Sequence, residues 1–206
     1  MGKRYDQYCP VAHALDLIGE RWALLVVRDL MRGPKRYTDL AETLGIGTNI
    51  LAARLRDLEA CGVVRKRTLP PPAASRVYEL TEYGRDLKGA IRELALWGAR
   101  SLGPPTDEDE LFPGWLVNAL DAVLAPIAPP GRFEFRIGDE IACLVDGEAL
   151  PGPVEDPDVV VEGDALGIYE LFVDRSLDHV SVHGDHALLR RLVEVAPERV
   201  EEPVEA

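Results

Sequence analysis

The sequence predicts an α+β fold in two parts, a helical first half carrying one small hairpin and a smaller second half built mainly on antiparallel strands. Three observations carry this expectation. Apolar residues recur at helical spacing through most of residues 10–102, whereas from Arg132 they alternate, with Phe133, Phe135 and Ile137 on one side and Glu134 and Arg136 on the other. Between these regions, Gly103-Pro104-Pro105-Thr106-Asp107-Glu108-Asp109-Glu110 combines a proline pair with an acidic run and no apolar residue, as an exposed linker does. The charge changes at the same place: residues 1–103 hold 17 Lys and Arg against 12 Asp and Glu, net +5, and residues 104–206 hold 6 against 24, net −18. The expected division is a first domain over 1–102, an acidic linker over 103–110, a second domain over 111–200 and an acidic tail over 201–206.

Composition narrows the function classes. An apolar fraction of 47% with 29% charged residues is that of an ordinary globular protein, and no apolar run approaches the roughly 20 residues that a membrane span requires. The N-terminus turns acidic at Asp6 before any apolar stretch, unlike a secretory signal, so a cytoplasmic location with no membrane partner is expected. Cys9, Cys61 and Cys143 are odd in number and far apart, which suits reduced thiols better than a disulfide framework or a zinc site. A basic half suited to phosphates is thus joined to an acidic half that they repel.

In the first half, Pro10 to Ile18 and Trp22 to Leu30 read as core helices, the first opening with Pro at a first-turn position and ending near Gly19. After Gly33-Pro34, Tyr37 to Leu44 reads as a short helix with Leu40, Ala41 and Leu44 inward, stopped by Gly45-Ile46-Gly47. The helix from Thr48 to Ala60 puts Leu51, Leu55 and Leu58 on one face and Asn49, Ala53, Arg56 and Ala60 on the other. A helix that enters the major groove needs small side chains for close approach and a few donors for base edges. Thr48, Asn49, Ala52, Ala53 and Arg56 meet that need. Two short strands around the tip Leu69 to Ser75 then form a wing, with Arg67 and Arg76 at its base, placed for phosphates or the minor groove. The expected fold is therefore a winged helix-turn-helix and the expected partner is double-stranded DNA. The competing reading is a small helical domain with ordinary surface charge.

Several segments occur together in this order: Cys9-Pro10, Asp16-Leu17-Ile18-Gly19-Glu20-Arg21-Trp22, Gly33-Pro34-Lys35-Arg36-Tyr37-Thr38-Asp39-Leu40, Arg54-Leu55-Arg56-Asp57-Leu58-Glu59, Gly62-Val63-Val64 and Tyr78-Glu79-Leu80-Thr81-Glu82-Tyr83-Gly84. Over about residues 8–100 the chain resembles the HxlR-type winged helix-turn-helix transcription regulators. The resemblance implies a homodimer on a pseudo-palindromic operator, with the Thr48 to Ala60 helix reading bases and Lys35, Arg36 and the wing holding phosphates. Residues 70–75 depart from the family's usual Pro-Val-Pro-like wing tip. Thr81 is expected to cap a long helix to about Leu102, with Tyr83, Leu87, Ile91, Leu94 and Trp97 on one stripe. That stripe either completes the monomer core or, as the resemblance favours, forms the dimer contact.

Cys9 matches a cysteine that some members of this family use to sense oxidants or electrophiles. Lys3, Arg4 and His13 supply a positive setting that would favour its thiolate, while the competing reading is a small buried thiol. Cys61 and Cys143 sit among apolar neighbours and read as core. His179, His183 and His186 lack a further ligand at a metal-binding spacing and read as surface histidines, so no metal or cofactor is expected.

The second half reads as helix (Leu111 to Leu124), strands (Arg132 to Ile137, Ile141 to Val145, Asp158 to Val161), a helix from Gly163-Asp164 to Phe172, a strand from Leu177 to His183 and a last helix to Val195. This order, with Asp158-Val159-Val160-Val161 before one helix and His183-Gly184-Asp185 before the last, resembles sterol-carrier-protein-like domains over about residues 111–197. The resemblance implies an apolar effector pocket lined by Trp115, Phe133, Phe135, Tyr169 and Phe172. A closed aromatic core uses the same residue types, so both readings stand. No nucleophile-base set, phosphate loop or metal set supports an enzyme. The alternative to a regulator is a lipid- or protein-binding module with weak or no specific DNA affinity.

Overall fold

The computed structural model describes residues 4–72, 74–106, 108–125 and 127–196. The tail 201–206 and Lys3 lie outside the described residues. The chain forms two compact units, Met1–Ile91 and Arg92–Ala206.

In the first unit α1 (Pro10–Ile18), α2 (Ala23–Leu30), α3 (Tyr37–Leu44) and α4 (Thr48–Ala60) precede the antiparallel hairpin β1 (Val64–Thr68) and β2 (Arg76–Leu80). The α2 helix starts at Ala23 because Trp22 takes a left-handed conformation, φ +78°, outside helical geometry. Val26, Val27, Leu30, Leu40, Leu44, Leu51, Leu55, Leu58, Val63 and Val64 form the core, which is the inward face expected of each element. Asp29 is buried within it, accepting Thr43 Oγ1–H at 2.7 Å and Arg28 Nε–H at 3.0 Å, so α2 and α3 are tied by a satisfied carboxylate. Lys35 exchanges both backbone hydrogen bonds with Tyr78, at 3.0 and 2.8 Å, and so fixes the wing to the segment before α3.

The long helix expected from Thr81 is broken. Thr81 Oγ1 does cap it, accepting Gly84 N–H at 3.0 Å, but α5 (Glu82–Arg85) ends in a turn before α6 (Lys88–Ala99). Gly84 packs so closely under Val63 that a Cβ would lie 2.1 Å from its carbonyl oxygen, and Leu87 N–H turns back to the Gly84 carbonyl. This seat under the hairpin, with Gly84, Asp86 and Gly89 all poor helix formers, redirects the chain.

The second unit is a mixed sheet with helices on one face. Its strands are β3 (Arg132–Ile137), β4 (Glu140–Val145), β5 (Glu148–Pro151), β6 (Val159–Gly163) and β7 (Val180–Gly184), in the order β5-β4-β3-β6-β7. Every pair is antiparallel except β3 with β6. Phe133 pairs across the register with Leu144 and Val159, and Phe135 with Ala142 and Val161; Ile137 joins them in the core, and α7 (Trp115–Ala119), α8 (Ala165–Val173) and α9 (His186–Val195) pack on that face. Glu134 points to the other face yet is buried, accepting Arg136 Nε–H at 2.7 Å and Val154 N–H at 2.9 Å from the segment that follows β5.

Three expectations shift here. The Leu111 to Leu124 helix shrinks to α7 and a π-helical turn over Leu120–Leu124, because Pro113 has no N–H to give and Glu140 takes the N–H groups of Gly114 and Leu116 instead. The strand expected from Asp158 begins one residue later, since the Asp158 carboxylate is occupied by Arg132 N–H at 2.8 Å. The strand expected from Leu177 begins at Val180, after a loop in which Arg175 has φ +56°.

Candidate nucleic-acid interface

The interface is built on α3, the turn Gly45-Ile46-Gly47 and α4. Gly45 ends α3 with φ +57°, a conformation glycine adopts without strain, and Ile46 inserts into the core to anchor the turn. The Tyr37 hydroxyl donates to the Thr48 carbonyl, so the first residue of α3 holds the start of α4. Leu51, Leu55 and Leu58 seat α4 with 0–1% exposure, which fixes its opposite face outward.

On that outward face Thr48, Asn49 and Arg56 are exposed and Ala52 and Ala53 half-buried, so the sequence-predicted set shares one surface. Arg36 is exposed and Lys35 half-buried just ahead of α3. Arg76 is exposed at the start of β2, and among the described residues neither Arg56 nor Arg76 is held in an ion pair. Arg67 differs: its Nη1 donates to Glu79 Oε2 at 3.0 Å. Three participants went unnoticed in the sequence. Glu79, nearly buried, also accepts Arg65 Nε–H at 2.8 Å; its position opposite Arg65 follows only from the hairpin register, which the irregular tip concealed. Ile50, 47% exposed, offers an apolar contact beside Asn49. Arg54 points back between Glu20, 3.2 Å, and Asp57, 3.3 Å, and so braces α4 rather than extending its surface.

The other predicted residues divide. Leu87 and Ile91 pack on the first core, whereas Tyr83, Leu94 and Trp97 are exposed, Trp97 by 70%. Cys9 is the N-cap residue of α1 and half-exposed, with His13 N–H on its carbonyl and His13 and Arg4 exposed nearby in sequence. Cys61 is half-buried against the carbonyls of Leu17 and Leu58. Burial, with the nearby Glu134 charge, pushes the Cys143 thiol up. Phe133 and Phe135 are fully buried, Phe172 packs on Phe135 with centroids 6.0 Å apart, and the Tyr169 hydroxyl is buried without a hydrogen-bond partner among the described residues. Trp115 lines an open groove of about 550 Å³ with Leu111, Ile137, Leu166, Asp139 and Glu140. His179 Nδ1 meets the Glu170 carboxylate, which raises its pKa, and the described residues contain no cluster that fits a metal ion.

A tight helix-turn-helix followed by a hairpin held to it by a backbone bridge defines a winged helix-turn-helix protein. Comparison with known sequences agrees: the HxlR-like helix-turn-helix model matches residues 17–105. YodB, an HTH-type transcriptional regulator of Bacillus subtilis, is 36% identical over 98 residues, spanning 47% of this chain and 88% of that protein. The chain belongs to the HxlR-like helix-turn-helix family. The HTH-type regulator Rv3095 of Mycobacterium tuberculosis is 41% identical over 99 residues, 46% of this chain, and the chain spans 63% of that relative's length. Among solved structures, reduced YodB from B. subtilis matches with 34% identity and a TM-score of 0.42, covering 48% of this chain and all of that one. The oxidized form of the redox regulator HypR matches with 30% identity and a TM-score of 0.43, covering 46% and 99%. No helix among the described residues is long and apolar enough to cross a membrane.

Proposed function

We propose that the protein is a sequence-specific, DNA-binding transcription regulator that acts as a homodimer on a pseudo-palindromic operator in the cytoplasm. The observation that carries this reading is the outward face of α4, where small Ala52 and Ala53 permit close approach to the major groove and Thr48, Asn49 and Arg56 reach base edges. Arg pairs with guanine O6 and N7, Asn with adenine, and exposed Ile50 suits a thymine methyl. Lys35, Arg36 and Arg76 supply phosphate contacts that set register. The dimer reading rests on exposed apolar side chains on two helices, Val11 and Leu15 on α1 and Leu94 and Trp97 on α6. The test is retardation of the protein's own upstream intergenic DNA against unrelated competitor DNA, with light scattering for mass. Competitor-resistant retardation of a dimer is expected. Binding that competitor removes, or equal binding by Arg56→Ala, contradicts the reading.

A second element is oxidant control through Cys9. Its half-exposed place at the N-terminus of α1 leaves the thiol open to an oxidant. An oxidant should weaken operator binding by the native protein and leave Cys9→Ser unaffected; equal loss in both removes this element. The second unit we read as a sterol-carrier-protein-like regulatory domain, on its helices stacked against one face of a mainly antiparallel sheet. Its effector site would be the groove at Trp115.

A further inference from the structure

We propose that Glu79 restrains the wing arginines, withholding their charge from DNA and so limiting binding to duplex of arbitrary sequence; this rests on the DNA-binding reading above. The run Arg65-Lys66-Arg67 is the densest basic segment of the first unit, yet each member is engaged within the protein. Arg65 places Nε and Nη2 at 2.8 and 2.7 Å from Glu79 Oε1, and Arg67 places Nη1 at 3.0 Å from Oε2. Lys66 binds Glu59 of α4 at 2.6 Å and lies 5.7 Å from the centre of the Tyr78 ring. The register explains the fork: Arg65 stands directly opposite Glu79, and Arg67 follows two residues on along the same face.

Burial makes the fork a restraint and not an incidental surface pair. The arginine side chains are 60% and 48% exposed, but that of Glu79 is only 10% exposed. A phosphate that drew the arginines away would leave a nearly buried carboxylate without partners, a far larger cost than breaking an exposed pair. The arginines therefore stay with Glu79 and make no phosphate contact, where the sequence suggests two free cations. Affinity for arbitrary sequence grows with each phosphate neutralised, whereas base contacts add only at the operator, so withholding wing charge raises the ratio between the two. Among the described residues Arg76 is exposed and not held in an ion pair, and so is left as a free wing cation.

The test is fluorescence anisotropy of the full chain with a mixed-sequence duplex of about two helical turns, over a range of salt. Glu79→Gln is expected to bind about fivefold tighter at low salt, with the log–log salt slope steeper by about one to two. Arg65→Ala and Arg67→Ala are expected to leave the slope of the native protein unchanged and to cancel the gain in the Glu79→Gln background. Unchanged or weaker binding by Glu79→Gln overturns the proposal, as does loss in either arginine variant equal to that in Arg76→Ala. Should Glu79→Gln melt below the assay temperature, the arginine variants in the native background decide alone. Equal binding of the operator by the native protein and Arg56→Ala would instead remove the DNA-binding reading itself, independently of Glu79.

Discussion

The two units of this chain use charge in opposite ways. In the first, Arg56 and Arg76 stand on the surface outside any ion pair among the described residues, and α1, α2 and α4 start on Cys9, Trp22 and Gly47 with no side-chain cap, while at the start of α3 Asp39 accepts the Arg36 N–H at 3.0 Å. In the second, the acids are structural acceptors: Asp164 takes Gly167 N–H, Asp185 takes Ala187 and Leu188 N–H, Glu140 takes Gly114 and Leu116 N–H, and Asp146 takes Gly131 N–H. The difference teaches that the net charge of −18 on residues 104–206 is not itself a recognition surface. Part of it holds turns and helix starts, while in residues 1–103, with their surplus of +5, cations such as Arg56 and Arg76 are left facing solvent, where phosphates can find them.

The largest expected effects come from filling the two closest backbone contacts. A Cβ at Gly84 would lie 2.1 Å from the Val63 carbonyl oxygen, and one at Gly184 would lie 2.2 Å from that of Asp158. Each substitution to Ala should cost about 3 kcal/mol or more, measured by thermal or urea unfolding. Gly84→Ala should also abolish DNA binding and Gly184→Ala should retain it; equal loss in both would break the functional contrast between the units. Next in size, Arg56→Ala should weaken operator binding by about 1–3 kcal/mol without lowering the melting temperature. Asp185→Ala, which strips the N-cap of α9, should cost about 1 kcal/mol of stability and leave DNA affinity unchanged.

The smallest effect is in pH dependence. The Glu170 carboxylate raises the pKa of His179 above its ordinary value near 6.5, so the protonated form is favoured by folding. The resulting stabilisation is full below that ordinary value and fades as pH rises through the raised folded value. A slight fall of the melting temperature over that window, absent in His179→Gln, is the expected result.

How far the sequence reaches differs along the chain for physical reasons. The bounds of α1, α3 and α4 follow from 3.6-residue periodicity with Pro or Gly at or near their ends, and the placing of Asn49, Ala53, Arg56 and Ala60 opposite the leucine face follows from the wheel alone. The break between α5 and α6 does not, because it depends on Gly84 meeting Val63, a contact between distant residues. Arg67 is a free cation in the sequence and an engaged one in the fold, since its partner Glu79 lies across a hairpin whose tip obscures the register. In the second unit the same apolar alternation serves a closed core and a pocket, so the burial of Phe133 and Phe135 and the exposure of Trp115 to a groove emerge only from packing.

The central claim is that the outward face of α4 reads bases in the major groove, and guanine N7 methylation interference on the retarded upstream fragment tests it most directly. The account predicts that methylation at paired guanines, one in each half-site, blocks binding by the native protein, and that Arg56→Ala loses sensitivity at that pair alone. Binding indifferent to N7 methylation, or an interference pattern unchanged by Arg56→Ala, would contradict it.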